Sequence, residues 1–337
     1  MSKFRALARN KVLPNIREAG SYIISQLKDT FKKASGLSLP LKKFKEVVIS
    51  GMGGSSIGGD IFRALAFPQS KIPIHILRDY HLPEFVNKDT LVICVSYSGN
   101  TEETLQAFKE ARARKAPLFA IASGGELEKI ALKHKIPFFK IEVKAQPRES
   151  LGAMLAVVLA LGQKIGLIKI NPDDFAFQPD LENKAKEFAL SLKNIIPVFV
   201  GAEHLAPVAR RFKTQINENS KQAAFFEELP ELCHNTIAGL DNPSCLSDLC
   251  FVLLSSPCYY TRNQKRVKIL AEIFNQKKVK HQIWQASRLK NRSKTAEMLN
   301  FLSLADALSL ELALLNKANP KIVPTIDYLK KRLEKGI

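Results

Sequence analysis

The chain has no CxxC pair, no P-loop pattern (GxxxxGK followed by Ser or Thr), and a single tryptophan in 337 residues. Each absence excludes something. Cys94, Cys233, Cys245, Cys250 and Cys258 are odd in number and lack ligand spacing, which argues against a disulfide framework and against a zinc knuckle. Their apolar neighbours mark them as small core residues of a protein kept in a reducing compartment. The first ten residues lack the continuous apolar run of a secretory signal. The long apolar stretch from Leu151 to Gly162 has the length of a buried helix, too short to span a bilayer. A cytoplasmic protein with no membrane partner is expected. No His/Asp/Glu cluster shows metal-ligand spacing.

Acidic residues are also in short supply: 32 Asp and Glu face 51 Lys and Arg, a formal net charge of +19. That excess favours anionic ligands. It does not read as a nucleic-acid interface, because the basic residues are spread along the chain apart from local clusters at Arg262–Lys268 and Lys277–Lys280. No aromatic stripe is interleaved with them, as a single-strand platform requires. With 46% hydrophobic and 25% charged residues the chain is ordinary globular protein. Its length suggests about two domains.

From Glu46 onward, short β-branched runs alternate with longer helical patterns. Val47–Ser50, Ile72–Leu77, Leu91–Ser96, Leu118–Ala122 and Pro137–Ile141 read as strands. Helices are expected near Ile57–Ala66, from Thr101, and around Glu126–Lys135. Continuous apolar runs fit strands buried on both faces of a parallel sheet, and the spacing gives βαβ units. The second half repeats the plan, with strands at Pro197–Gly201, Ala223–Glu227, Cys250–Ser255 and His281–Gln285. Its helices fall at Glu203–Asn217, Asn263–Gln276 and Lys294–Asn316, and a short one follows Pro324. The expected organisation is an N-terminal helical extension (1–45), a first α/β domain (46–165), a linker (166–195), a second α/β domain (196–320) and a C-terminal helix (321–337). Both α/β domains are expected to be doubly wound parallel sheets.

Two segments carry chemistry. Gly51-Met52-Gly53-Gly54-Ser55-Ser56-Ile57-Gly58-Gly59-Asp60 lies between a strand and a helix, where anions meet exposed backbone N–H groups and the helix dipole. The dinucleotide pattern GxGxxG would begin at Gly51 but meets Ser56 in place of its third glycine. Arg78-Asp79 also comes late for a ribose-binding acid. The second segment, Ser96-Tyr97-Ser98-Gly99-Asn100-Thr101, sets three hydroxyls between the end of a strand and the start of a helix. Plain N-capping by Ser98 or Thr101 needs one hydroxyl; three, beside a second glycine-serine segment, suit a phosphate monoester.

Ser-x-Ser-Gly-x-Thr after a buried strand resembles the phosphosugar-binding signature of sugar isomerase (SIS) domains. Gly51-Met52-Gly53-Gly54-Ser55 with Gly59-Asp60 narrows the resemblance to the bifunctional phosphoglucose/phosphomannose isomerases, within the phosphoglucose isomerase superfamily. Gln146-Pro147-Arg148, Asn217-Glu218-Asn219-Ser220-Lys221 and His234-Asn235 follow in the order of that branch. The resemblance runs from about Val47 to the C-terminus. It implies two SIS domains and reversible conversion of glucose 6-phosphate, and of mannose 6-phosphate, to fructose 6-phosphate through a cis-enediol(ate). It implies neither cofactor nor metal, and a homodimer in which His234 crosses to the neighbouring subunit.

By this resemblance Gly54, Ser55, Ser96, Ser98 and Thr101 bind the phosphate. Glu218 is the base that moves a proton between C2 and C1; a partly desolvated carboxylate can approach the neutral pKa such a role needs. Arg148 stabilises the enediolate, an effect strongest where water is scarce. His234 assists ring opening, since an imidazole can serve as acid or base near neutral pH, joined by a C-terminal lysine, Lys330 or Lys331, with Lys330 in the better register. Blander readings stand beside these: Glu218 as a solvated helix end, Arg148 as a surface partner of Glu149, the lysines as a solvated basic face. A non-catalytic sugar-phosphate sensor is the competing function, although no helix-turn-helix precedes the first strand.

Overall fold

The computed structural model describes residues 16–37, 43–178, 180–242, 244–285 and 293–334. The chain divides into two compact units. The first opens with helix α1 (Ile16–Ser35, from Ser21 onward), so the described part of the expected N-terminal extension is largely helical; residues 1–15 lie outside the described residues. Then follow β1 (Glu46–Ser50), α2 (Gly53–Ala66), β2 (Ile74–Leu77), β3 (Thr90–Val95), α3 (Glu102–Ala113), β4 (Leu118–Ala122), α4 (Gly125–Lys133), β5 (Phe138–Lys140) and α5 (Leu151–Lys164). The five strands form one parallel sheet in the order β2-β1-β3-β4-β5, with Val48 opposite Val92 and Ile93 opposite Phe119.

Alternation along each strand sorts the side chains between two covering layers. Val48, Val92, Cys94, Ala120 and Ala122 face the core made with Ala107, Phe108 and Ala111 of α3 and with Leu127 and Ala131 of α4. Burial pushes the Cys94 thiol up to about 12, so it behaves as an apolar core residue. On the opposite side α2 lies on the sheet: a Cβ at Gly59 would sit 3.1 Å from Ile49 and Ile76 side chains. Gly58 meets α5 in the same way, 3.7 Å from the Leu155 backbone. The expected glycine loop is therefore mostly helix, since α2 begins at Gly53 rather than near Ile57. Its glycines give close packing, and only Gly51 and Met52 remain as connection.

The second unit contains α6 (Leu181–Leu192), β6 (Ile196–Ala202), α7 (Ala206–Gln215), β7 (Phe225–Leu229), β8 (Leu249–Ser255), α8 (Thr261–Gln276), β9 (His281–Gln285), α9 (Lys294–Leu315, from Asn300 onward) and α10 (Pro324–Glu334). Its sheet is again parallel, in the order β7-β6-β8-β9. Helix α6 occupies much of the stretch that reads as linker; its Leu181, Ala185, Ala189 and Leu192 are buried, an apolar stripe at helical spacing. The one tryptophan is core: Trp284 stacks on Phe188 with ring centroids 3.8 Å apart and meets Phe199 and Phe212 edge-on. Cys250 is buried, and Cys233 and Cys258 are half-buried; the side chain of Cys245 lies outside the described residues. Helix α9 is long and apolar enough to cross a bilayer, but 78% of that window is buried within the structure.

Candidate functional site

In the first sheet the strand order reverses between β1 and β3. Ligands of open α/β sheets bind beyond the carboxyl ends of the strands at such a reversal. The two segments singled out from sequence leave these two strands. Gly51 lets them meet, because a Cβ there would lie 2.9 Å from the Val95 carbonyl oxygen and 3.2 Å from Ser55 Cβ. Gly53 opens α2 with a φ of +51°, which glycine adopts at little cost. The first turn is then braced from β2: Arg78 Nε donates to Ser56 Oγ (3.2 Å), and Ser56 Oγ donates to the Gly53 carbonyl (3.0 Å). The guanidinium is itself paired with the buried Asp60. Ser55, also buried, donates to Met154 Sδ at 3.4 Å.

The segment after β3 is a tight loop. Gly99, at φ +70°, packs so closely on the turn before α4 that a Cβ would fall 1.8 Å from the Gly124 carbonyl oxygen. Ser96 Oγ pairs with Thr101 Oγ1 at 2.8 Å and accepts from Gly99 N–H at 3.1 Å. Ser98 is exposed, and its Oγ accepts from Asn100 N–H at 3.2 Å. Thr101 sits at the N-cap of α3 but makes no side-chain cap bond. Its hydroxyl is turned to Ser96, so capping does not account for these hydroxyls. The first turns of both α2 and α3 thus begin at the reversal point, each carrying partial positive charge.

Arg148 joins this corner. It lies in a 3₁₀ turn (Pro147–Glu149) whose capping box pairs Gln146 with Glu149, and it is only 5% exposed. Burial sets aside its reading as a surface residue. A Cβ on Gly54 would come within 3.3 Å of the Pro147 carbonyl oxygen and 3.6 Å of Arg148 Cα, so the Arg148 turn sits directly on the start of α2. Tyr97 binds it to the serine loop, its hydroxyl donating to the Val143 carbonyl (2.7 Å) and accepting from Ala145 N–H (3.1 Å). The first unit therefore brings Gly54, Ser55, Ser96, Ser98, Thr101 and Arg148 together. Sequence reasoning missed Asp60, Arg78 and Tyr97 as supports. Their signal was present, in an acid on the glycine segment, an arginine closing β2 and an aromatic between two serines.

Glu218, His234 and Lys330 belong to the second unit. The α-helix expected to run to Asn217 stops at Gln215, and Ile216–Ser220 form a single π-helical turn that carries Glu218 half-buried. Such wide turns recur at functional sites. Side-chain bonds to α9 hold this one: Asn219 Nδ2 to Ser309 Oγ, and Ser220 Oγ to the Ser309 carbonyl, both 2.9 Å. Arg211 and Gln215 anchor the preceding helix on Asp306, each at 2.8 Å. Asn217 and Lys221 line a cavity of about 520 Å³ with Ile322, Pro324 and Thr325, at the start of α10. Lys330 lies further along α10, exposed, as does Lys331. His234 ends a 3₁₀ turn after β7 and is exposed.

The second sheet has its own reversal point, between β6 and β8. There Glu203 Oε1 accepts from Tyr260 N–H (2.6 Å) and from Asn263 Nδ2 (3.0 Å), across the first turn of α8. His204 and Ser256 are both 2% exposed. Tyr259 hydroxyl accepts from Ala202 N–H and donates to the Leu254 carbonyl.

Comparison with known proteins identifies both α/β domains. Residues 41–162 match the family model of the SIS domain. Residues 181–333 match that of the bacterial phospho-glucose isomerase C-terminal SIS domain. A bifunctional phosphoglucose/phosphomannose isomerase of Caldicellulosiruptor bescii is 36% identical over 327 residues, covering 91% of this chain and 96% of that protein. One from Aquifex aeolicus is 36% identical over 301 residues, covering 88% and 92%. The solved structure of tagatose-6-phosphate ketose/aldose isomerase from Escherichia coli superimposes with a TM-score of 0.67 at 20% identity, over 91% of this chain and 94% of that one, and shows the shared fold. With two matched SIS domains and relatives at this identity over nearly full length, the chain belongs to the bifunctional phosphoglucose/phosphomannose isomerase family.

Proposed function

We propose that the protein interconverts glucose 6-phosphate, and mannose 6-phosphate, with fructose 6-phosphate through a cis-enediol(ate). The observation that carries this reading is the corner of the first domain where two helix N-termini, the Ser96–Thr101 hydroxyls and the buried Arg148 converge on one strand reversal. A phosphate monoester suits the helix termini and hydroxyls, and a fixed guanidinium beside it suits an oxyanion forming on the sugar. Gly54, Ser55, Ser96, Ser98 and Thr101 hold the phosphate.

Ring opening falls to His234, which takes the proton of the C1 hydroxyl and returns one to the ring oxygen, with Lys330 assisting. Glu218 then removes the C2 proton of the aldose and delivers it to C1, while the hydroxyl proton passes from O2 to O1, leaving the ketose; the reverse sequence forms the aldose. The planar intermediate precedes both C2 epimers, so one machinery serves glucose and mannose. Arg148 lowers the barrier by binding the enediolate oxygen where burial limits screening. The half-buried π-turn position of Glu218 supports the base role. The exposure of His234 is consistent with its delivery to a neighbouring subunit of a homodimer.

The test is conversion of fructose 6-phosphate without added metal, with glucose 6-phosphate and mannose 6-phosphate measured separately. Both products are expected. Glucose 6-phosphate alone would remove the mannose activity and keep the mechanism. Neither product, from folded protein that binds fructose 6-phosphate, would leave a sugar-phosphate sensor.

A further inference from the structure

We infer that Gln26 is a positioning residue for Arg148, which makes helix α1 a working part of the site although it precedes the matched SIS domain. The inference rests on the isomerase reading for the role of Arg148, but its geometry stands within the first domain. Gln26 is 4% exposed. Its Nε2 donates to the Glu149 carbonyl at 2.8 Å, and its Oε1 accepts from Ala153 N–H at 3.3 Å. One primary amide therefore closes the seam between the Arg148 turn and the start of α5. Glu149 is the last residue of that turn, and the Ala153 N–H lies in the first turn of α5, where amides have no partner inside the helix.

The helix is fitted to this task. A Cβ on Gly152 would fall 2.3 Å from the Ile23 carbonyl oxygen and 3.0 Å from Gln26 Cβ, so the backbones of α1 and α5 approach where only glycine allows it. From the other side the Arg148 turn rests on Gly54. Arg148 is thus held between the phosphate corner and α1. An apolar residue at position 26 would leave a buried donor and a buried acceptor unpaired, and the turn would relax toward other partners. A small displacement of a charge-stabilising group costs rate, because the enediolate is bound only in passing.

The test is Gln26→Met, close in size and without either hydrogen bond. Fructose 6-phosphate kinetics are measured beside calorimetric binding of inorganic phosphate and of 5-phosphoarabinonate, whose carboxylate stands in for the enediolate. A kcat lower by about 10–100-fold with KM within about two-fold is expected. Affinity for 5-phosphoarabinonate should fall by a similar factor, and that for inorganic phosphate should hold. A wild-type protein without turnover would refute the isomerase reading, while the two binding measurements would still decide the role of Gln26. Unchanged kcat and aldonate affinity, or equal losses for aldonate and phosphate, would overturn the assignment. Should Gln26→Met not fold, Gln26→Glu, which retains the acceptor for Ala153 N–H, is expected to show the same selective loss. Failure of both variants to fold would make Gln26 a folding residue and overturn the assignment too.

Discussion

The two sheets reverse strand order in the same way, yet their reversal points are finished differently. In the first, glycines and small hydroxyl residues follow β1 and β3; the first turn of α2 holds no acid, while that of α3 carries Glu102 and Glu103. In the second, a longer acid reaches from the turn after β6 to the start of another helix. Glu203 takes the Tyr260 N–H and the Asn263 amide at the start of α8, while His204, Ser256 and Tyr259 fill the space behind. A helix N-terminus attracts negative charge wherever it occurs. Whether it binds a ligand depends on whether the chain supplies that charge itself. At the start of α8 the second domain supplies that charge internally, whereas the first turn of α2 in the first domain holds no acid.

The proposed mechanism gives phosphate binding to the first domain and proton transfer to groups of the second. The sharpest way to break it is Glu218→Gln. Turnover is expected to fall by about 10²–10⁴-fold, the usual contribution of a positioned acid–base group. Fructose 6-phosphate binding, followed by calorimetry, should persist, because the phosphate corner is untouched. Substantial residual turnover would take the base role from Glu218; lost binding would mean that the second domain also anchors substrate.

The complementary change is Ser98→Ala, or Ser96→Ala, at the first reversal point. A hydrogen bond to a charged group is worth about 1.5–3 kcal/mol, so KM should rise roughly ten- to a hundred-fold with kcat nearly kept. Ser98 is the cleaner choice, because Ser96 also pairs with Thr101 and receives the Gly99 N–H. A fall in kcat with KM unchanged would place these hydroxyls at the reacting carbons.

Much of this contrast was legible in the chain, for a physical reason. Strands buried on both faces must be continuous apolar runs, so Leu118–Ala122 was found to the residue. Ser96–Thr101 declared itself because its hydroxyls and glycine are adjacent in sequence. The start of α2 was misjudged because Gly53–Gly59 has the composition of a loop; only the contacts with Ile49, Ile76 and Leu155 explain glycine inside a helix. Gln26 left no local trace, since its partner Glu149 lies 123 residues away. The plug at Glu203 was hidden for a similar reason, with Tyr260 N–H 57 residues distant.

Glu203→Gln therefore probes the contrast from its quieter side. The amide keeps the size of the side chain and an acceptor oxygen, but it surrenders the charge that meets the first turn of α8. Losing a charged partner at a helix start typically costs about 0.5–1 kcal/mol, a small downward shift in the midpoint of urea unfolding. Because the second reversal point is closed by its own residues, kcat and KM for fructose 6-phosphate should both stay within about two-fold of wild type. A raised KM would mean that this carboxylate helps hold substrate. Unchanged kinetics together with lower stability would leave Glu203 as an internal partner for the first turn of α8.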